Sequence, residues 1–225
     1  MTDMLTPADR ARVTAAVIAA EQRTDAEIVT IVAPASDAYH DVALHWAIFA
    51  TFVVIGVAAI RPDWLETLRT VADSRWTTAS TRTDLLTPLL LFAAITFLTV
   101  RLLASVTALR TRLTPGATKA RRVRRRAVML FRVGVQHHTA DRNGVLLYLS
   151  LAERRAEIVA DHAVHQAVAP EIWGDILSDL LVAVRAGQPG DGMVAAVAAI
   201  GATLATAFPP SGRDAAELPD RLIQL

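Results

Sequence analysis

Cysteine is absent from the 225 residues, which excludes disulfides and thiolate metal sites and leaves the redox compartment open. No Gly-rich phosphate loop, no Gly-x-Ser-x-Gly elbow and no His-Glu-x-x-His occurs, so nucleophilic and zinc-protease chemistry have no visible support. Acidic residues are missing altogether between Leu85 and Ala140. No aromatic residue is interleaved with the basic run that falls in that acid-free stretch, Lys119-Ala120-Arg121-Arg122-Val123-Arg124-Arg125-Arg126, and a single-strand nucleic-acid platform would need stacking rings there. Nucleic acid is therefore not an expected partner.

What the sequence has instead is two long apolar runs, residues 43–60 and 85–104, separated by a polar segment, Arg61 to Asp84. Each approaches the roughly 20 residues needed to cross a bilayer core, which predicts a two-helix transmembrane hairpin. Arg101 lies near a span end, where a long side chain reaches the headgroups. Pro88 falls in the first turn, where a missing N–H costs little. Trp46, Trp64 and Trp76 sit near the span ends or between them, as interfacial anchors do.

The net charge is only +1, but its distribution is uneven. Arg110, Arg112, Lys119, Arg121, Arg122, Arg124, Arg125 and Arg126 come after the second run, against four arginines in the 61–84 segment. Positive residues near span ends stay on the cytoplasmic side, which predicts both termini in the cytoplasm. Val13 to Ala20 is apolar but is preceded by Asp3 and Asp9 and succeeded by Glu21-Gln22-Arg23, unlike a cleavable signal. Lys119, Arg121, Arg122, Arg124, Arg125 and Arg126 are expected to face anionic lipid, so the bilayer is the first partner.

Around the hairpin the chain reads as the two pieces of an α/β domain. Residues 1–33 give a helix and a strand: Thr6 caps, Pro7 takes the first helical position, and Glu27 to Val32 is β-branched and short. Residues 34–117 hold the hairpin. Residues 118–210 give the basic helix, a strand from Val145 to Leu151, a reversal at Glu153-Arg154-Arg155, and a second strand to Asp161. Two helices complete this piece, from near Pro170 to a Gly187 stop and from an Asp191 cap to Pro209. Residues 211–225 read as a flexible tail. The expectation is a small three-layer α/β/α domain with a mixed sheet of about three strands, interrupted by the hairpin after its first strand. Trp173 is assigned to the core, and Gly201 to a close helix contact.

The segment Asp141-Arg142-Asn143-Gly144-Val145-Leu146-Leu147, the hairpin and two closing helices after it, the opening helix–strand unit and Gly190-Asp191-Gly192 together resemble the TPM domain family, over residues 5–33 and about 118–208. A bacterial membrane branch of that family carries a hydrophobic hairpin in the same place. The resemblance implies a bacterial inner-membrane protein presenting this domain at the cytoplasmic face as an accessory or interaction module of a membrane complex, with a membrane-protein partner. It also implies an alternative: a divalent cation, calcium above others, and an acid phosphatase activity using Asp141 and Asp161.

Asp141, Asn143 and Asp161 could bring three oxygen ligands to one end of the sheet, with carbonyls and water completing a calcium shell. The same Asp-Arg-Asn-Gly also makes a good turn for local reasons alone. His162-Ala163-Val164-His165 stands where the family continues with a glycine-rich acidic turn. The two histidines would share a helix face, with no third ligand evident nearby.

Overall fold

The computed structural model describes residues 5–61, 63–64, 82–134, 143–211 and 222–224. The chain divides into two compact units. One is built from Met1–Asp37 and Pro115–Leu225, the other from Ala38–Thr114.

The first unit opens with α1 (Pro7–Glu21). Thr6 is its N-cap, accepting from the Asp9 N–H at 3.1 Å, and Pro7 begins the helix. Val13, Val17 and Ala20 recur on one face and are buried. Strand β1 (Ile28–Ala33) comes next, and all six of its residues are buried. After the second unit come α5 (Gly116–Gly134), β2 (Val145–Ser150), β3 (Arg155–Ala160), α6 (His162–Ala167), α7 (Pro170–Arg185), α8 (Pro189–Ala207) and β4 (Ile223–Gln224).

The sheet is mixed, in the order β3-β2-β1-β4. β1 runs parallel to β2 from Ile28↔Val145 to Ala33↔Ser150, and β2 pairs antiparallel with β3 from Val145↔Ala160 to Ser150↔Arg155. Four strands replace the expected three: Ile223 and Gln224 join β1 in parallel opposite Ile31 and Val32. These two residues, within the stretch 211–225 read as a flexible tail, are strand. Without β4 the backbone groups of a fully buried strand would lack partners on one side, a costly arrangement. Leu222-Ile223 is the apolar signal in that polar tail.

Strand alternation sends successive side chains to opposite faces. Ile28, Val32, Val145, Leu147 and Leu149 meet α1, α7 and α8 in the larger core. Val29, Ile31, Leu146 and Tyr148 meet Val123, Ala127 and Phe131 of α5 on the other face. The result is a three-layer α/β/α arrangement. Trp173 lies in the larger core, 6% exposed. Helix α8 begins at Pro189, two residues before the expected Asp191 cap, and Asp191 sits in its first turn. Gly187 closes the turn before it at φ 81°, a left-handed backbone that favours glycine.

The second unit contains α2 (His40–Ile60), α3 (Arg82–Leu103) and α4 (Thr107–Leu113). α2 and α3 pack on each other, with Trp64 edge-on to Phe92 at 5.2 Å between ring centroids. Their outer faces are apolar and open: Phe49, Phe52, Leu90, Leu91, Leu98 and Leu102 are all exposed. Arg110, counted above among the basic residues after the second run, is a buried side chain. It is 7% exposed. Its guanidinium donates to the Ala38 and Ser105 carbonyls at 2.6 and 2.7 Å and meets His40 Nδ1 at 2.7 Å. It closes the base of this unit. Trp76 lies outside the described residues.

Among the described residues, three helices are long and apolar enough to span a membrane: α2, α3 (Leu86–Leu103) and α8. They differ in packing. Only 17% and 6% of the apolar windows of α2 and α3 are buried, against 44% for α8. Met193, Val197, Ile200 and Leu204 of α8 belong to the core, which accounts for its composition without a bilayer.

Candidate functional site

The parallel pair β1–β2 has two ends, and each gathers polar side chains. At the end where these strands start, Asn143 and Asp161 come together. Asn143 is buried, and its Nδ2 donates to the Asp25 carbonyl at 2.5 Å. Asp161 Oδ2 accepts the Gly144 N–H at 3.1 Å, and the Asp161 N–H returns a bond to the Gly144 carbonyl at 3.0 Å. These bonds fasten the start of β2 to the end of β3 and to the approach to β1. A backbone-bonded Asn and Asp are what a tight strand entrance needs, because buried N–H and C=O groups must be paired. Asp141 lies outside the described residues, as do His137 and His138. Among the described residues no group of three or more His, Asp or Glu is arranged to hold a metal ion. His162 and His165 do lie on one helix, α6, but both face solvent, and the His162 ring bonds Gln166 at 3.0 Å.

The opposite end, where β1 and β2 finish, carries a polar cluster that sequence reading passed over. Glu153, 7% exposed, accepts the Ser36 N–H on Oε1 at 3.0 Å and the Ser150 hydroxyl on Oε2. Ser36 Oγ meets the Tyr148 hydroxyl at 3.0 Å. Burial pushes the Tyr148 hydroxyl above the usual tyrosine range; the bond to Ser36 lowers it and the Glu153 charge raises it. Tyr148 is therefore a neutral hydrogen-bonding group here. Both Glu153 oxygens are engaged, so the cluster has the character of a tie holding residues Ser36 and Asp37 to the sheet. Its only signal in the sequence is an acid inside a reversal and a serine in a polar connection, neither distinctive.

The third candidate is α5, whose basic residues divide by partner. Arg122 is held by Asp37 at 2.8 Å, and Arg124 stands 3.8 Å from Glu157. Lys119 and Arg126 are half-buried, whereas Arg121, Arg124, Arg125 and Arg132 are exposed. Glu157 is held above the usual carboxylate range by burial, with Arg124 and then Arg155 pulling it back. A shallow cleft of about 280 Å³ between α7 and α8 is floored by Ile176, Leu180, Gly192 and Ala196, with Asp179 and Asp191 its charged lining. Asp191 is bonded by Arg12 at 2.5 Å. The cleft offers no convergent set of catalytic groups.

No curated protein is significantly similar to this chain. The chain resembles the NMR structure of BA42 protein from the psychrophilic bacterium Bizionia argentinensis, at 16% identity over 99% of this chain and 97% of that one, with a TM-score of 0.55. At that identity the likeness speaks for the fold. Residues 106–203 match the family model of the TPM domain. The matched stretch holds α4, α5, β2, β3, α6, α7 and most of α8, and α1 and β1, earlier in the sequence, share the core of β2 and the closing helices.

Proposed function

We propose that this chain is a bacterial inner-membrane protein in which α2 and α3 cross the bilayer, both termini are cytoplasmic, and the TPM domain works at the cytoplasmic face as an accessory or interaction module of a membrane complex. The observation that carries this reading is the contrast between helices of similar apolarity. α8 spends its apolar side chains on the core, whereas nearly all of α2 and α3 outside their mutual contact is open. Such a surface in water would far exceed the patches that soluble monomers expose. The positive residues after α3 favour the cytoplasmic side for the domain C-terminal to it. A reporter fused after Leu225 should behave as cytoplasmic and one inserted near Ser74 as external. The reverse pattern would overturn the orientation, and a chain released by salt or carbonate would overturn the spans.

The alternative is a divalent-cation-dependent acid phosphatase with calcium held by Asp141, Asn143 and Asp161. Asn143 and Asp161 do meet at one sheet end, which supports it; their bonds to backbone groups support a structural role instead. Calcium or manganese titration followed by thermal melting separates the two. An accessory module shows no melting shift and no phosphomonoester turnover. A phosphatase shows a shift and turnover that Asp141→Ala loses, while Asp161→Asn, which keeps an acceptor for Gly144, retains the fold.

A further inference from the structure

Helix α5 has one face accounted for and one that is not. At about 100° per residue, Val123, Ala127 and Phe131 form its inner face and are buried against the sheet. Arg121, Arg125, Met129, Arg132 and Val133 fall on the opposite side. All five are exposed, Met129 at 44% and Val133 at 70%. Among the described residues, none of the three arginines has a carboxylate within ion-pair distance; Arg121 reaches only the Thr118 hydroxyl, at 3.4 Å. Like charges at i, i+4, such as Arg121 and Arg125, destabilise a helix, and α5 contains no acid to offset them. Among the described residues nothing pairs with this face.

We infer that the outer face of α5 docks on anionic lipid headgroups, through Arg121, Arg125 and Arg132, with Met129 and Val133 entering the headgroup boundary. The inference rests on the proposed membrane function and changes its residue set: Arg122 is held by Asp37, Arg124 is exposed but lies beside Glu157 at 3.8 Å, and Arg132, outside the original basic run, joins. Three observations favour lipid over other occupants. The face is uniformly cationic and complements an anionic surface. It mixes that charge with isolated apolar side chains, as interfacial helices do. It also begins at Gly116, directly after the unit that carries the two apolar helices.

The absence of cysteine allows a clean test. Met129→Cys in the full chain takes a polarity-sensitive fluorophore, and Ser178→Cys on exposed α7 serves as the control. Each labelled protein is placed in nanodiscs of phosphatidylcholine alone or with phosphatidylglycerol. The label at 129 should shift to the blue, resist a water-soluble quencher and be quenched by headgroup spin labels only in the anionic discs. High salt should reverse this. Combined Arg121→Gln, Arg125→Gln and Arg132→Gln should lower the docked-to-undocked ratio roughly a hundredfold, at about fivefold per basic residue. Equal exposure of the label in both lipids, no effect of the triple substitution, or equal protection at 129 and 178 would overturn the inference. So would protection that rises with protein concentration at fixed lipid, since a second copy would then be the occupant. If the chain fails to stay in discs, flotation with vesicles decides: salt-reversible binding to anionic vesicles, lost in the triple variant, keeps this face and rejects the spans, and no binding rejects both.

Discussion

Two glycine-to-alanine substitutions in this fold should act in opposite directions. Gly201 lies in α8 where it crosses α1. A Cβ there would stand 2.5 Å from Ala20 Cβ and 3.2 Å from Ala20 Cα. Neither neighbour can swing away, because one is a first side-chain carbon and the other is backbone. Overpacking of that kind costs about 1–3 kcal/mol, and the gain in helix propensity returns at most about 1 kcal/mol. With the full propensity gain the net for Gly201→Ala is a loss of up to about 2 kcal/mol. Gly174 sits exposed inside α7 with nothing within 4 Å of its would-be Cβ. Gly174→Ala gains the propensity alone, about 0.5–1 kcal/mol. For a chain of this length each kcal/mol shifts the melting temperature by about 2–4 °C. Thermal melts of the full chain in detergent, monitored by helical ellipticity, should therefore show Gly201→Ala below wild type and Gly174→Ala above it. The pairing controls for the detergent and for incomplete reversibility, since both variants make the same chemical change. If Gly201→Ala melts at or above wild type, the α1–α8 approach is looser than described and the argument fails.

Arg110→Ala leaves the Ala38 and Ser105 carbonyls without their charged donor; each such bond is worth about 1.5–3 kcal/mol. Protease protection of the Ala38–Thr114 unit should fall sharply, and Arg110→Lys should restore only part, since one ammonium cannot replace a planar fork. Glu157 has its folded pKa raised above the unfolded value, so its contribution to stability is greatest below the unfolded pKa and is lost as pH rises through the folded one. Glu157→Gln should stabilise the domain at neutral pH and flatten the stability profile across the weakly acidic range; an unchanged profile in urea titrations would assign that dependence elsewhere.

The elements whose signal is periodic were legible. Thr6-Pro7, the β-branched run from Ile28 and the Val145 strand all mark their structures locally, and Gly201 announces a close crossing. β4 was not, because two residues carry no periodicity and the strand exists only through β1. The basic run was legible as charge but not as faces: partners such as Asp37 and Glu157 are distant in sequence, so only the fold separates Arg122 and Arg124 from Arg121 and Arg125. Arg110 likewise counts as a topology signal in the sequence and proves to be a buried clamp. At the candidate cation site, the sequence set Asn143 and Asp161 at the ends of neighbouring strands, and the structure adds a backbone bond for each, through Asn143 Nδ2 and Asp161 Oδ2.

The placement of β1 has a kinetic consequence. Its partner β2 begins at Val145, so the core of the sheet closes only after residues 34–144 have been synthesised. Were the Ala38–Thr114 insert a slack loop, roughly tripling the intervening chain would add about 1 kcal/mol of closure entropy. A hairpin already formed, with Arg110 gripping the Ala38 carbonyl, brings the two exits of that insert together beforehand. Assembly of α2–α4 ahead of the sheet thus shortens the effective loop, and a slow or failed hairpin should appear first as delayed β1–β2 pairing rather than as loss of the helices.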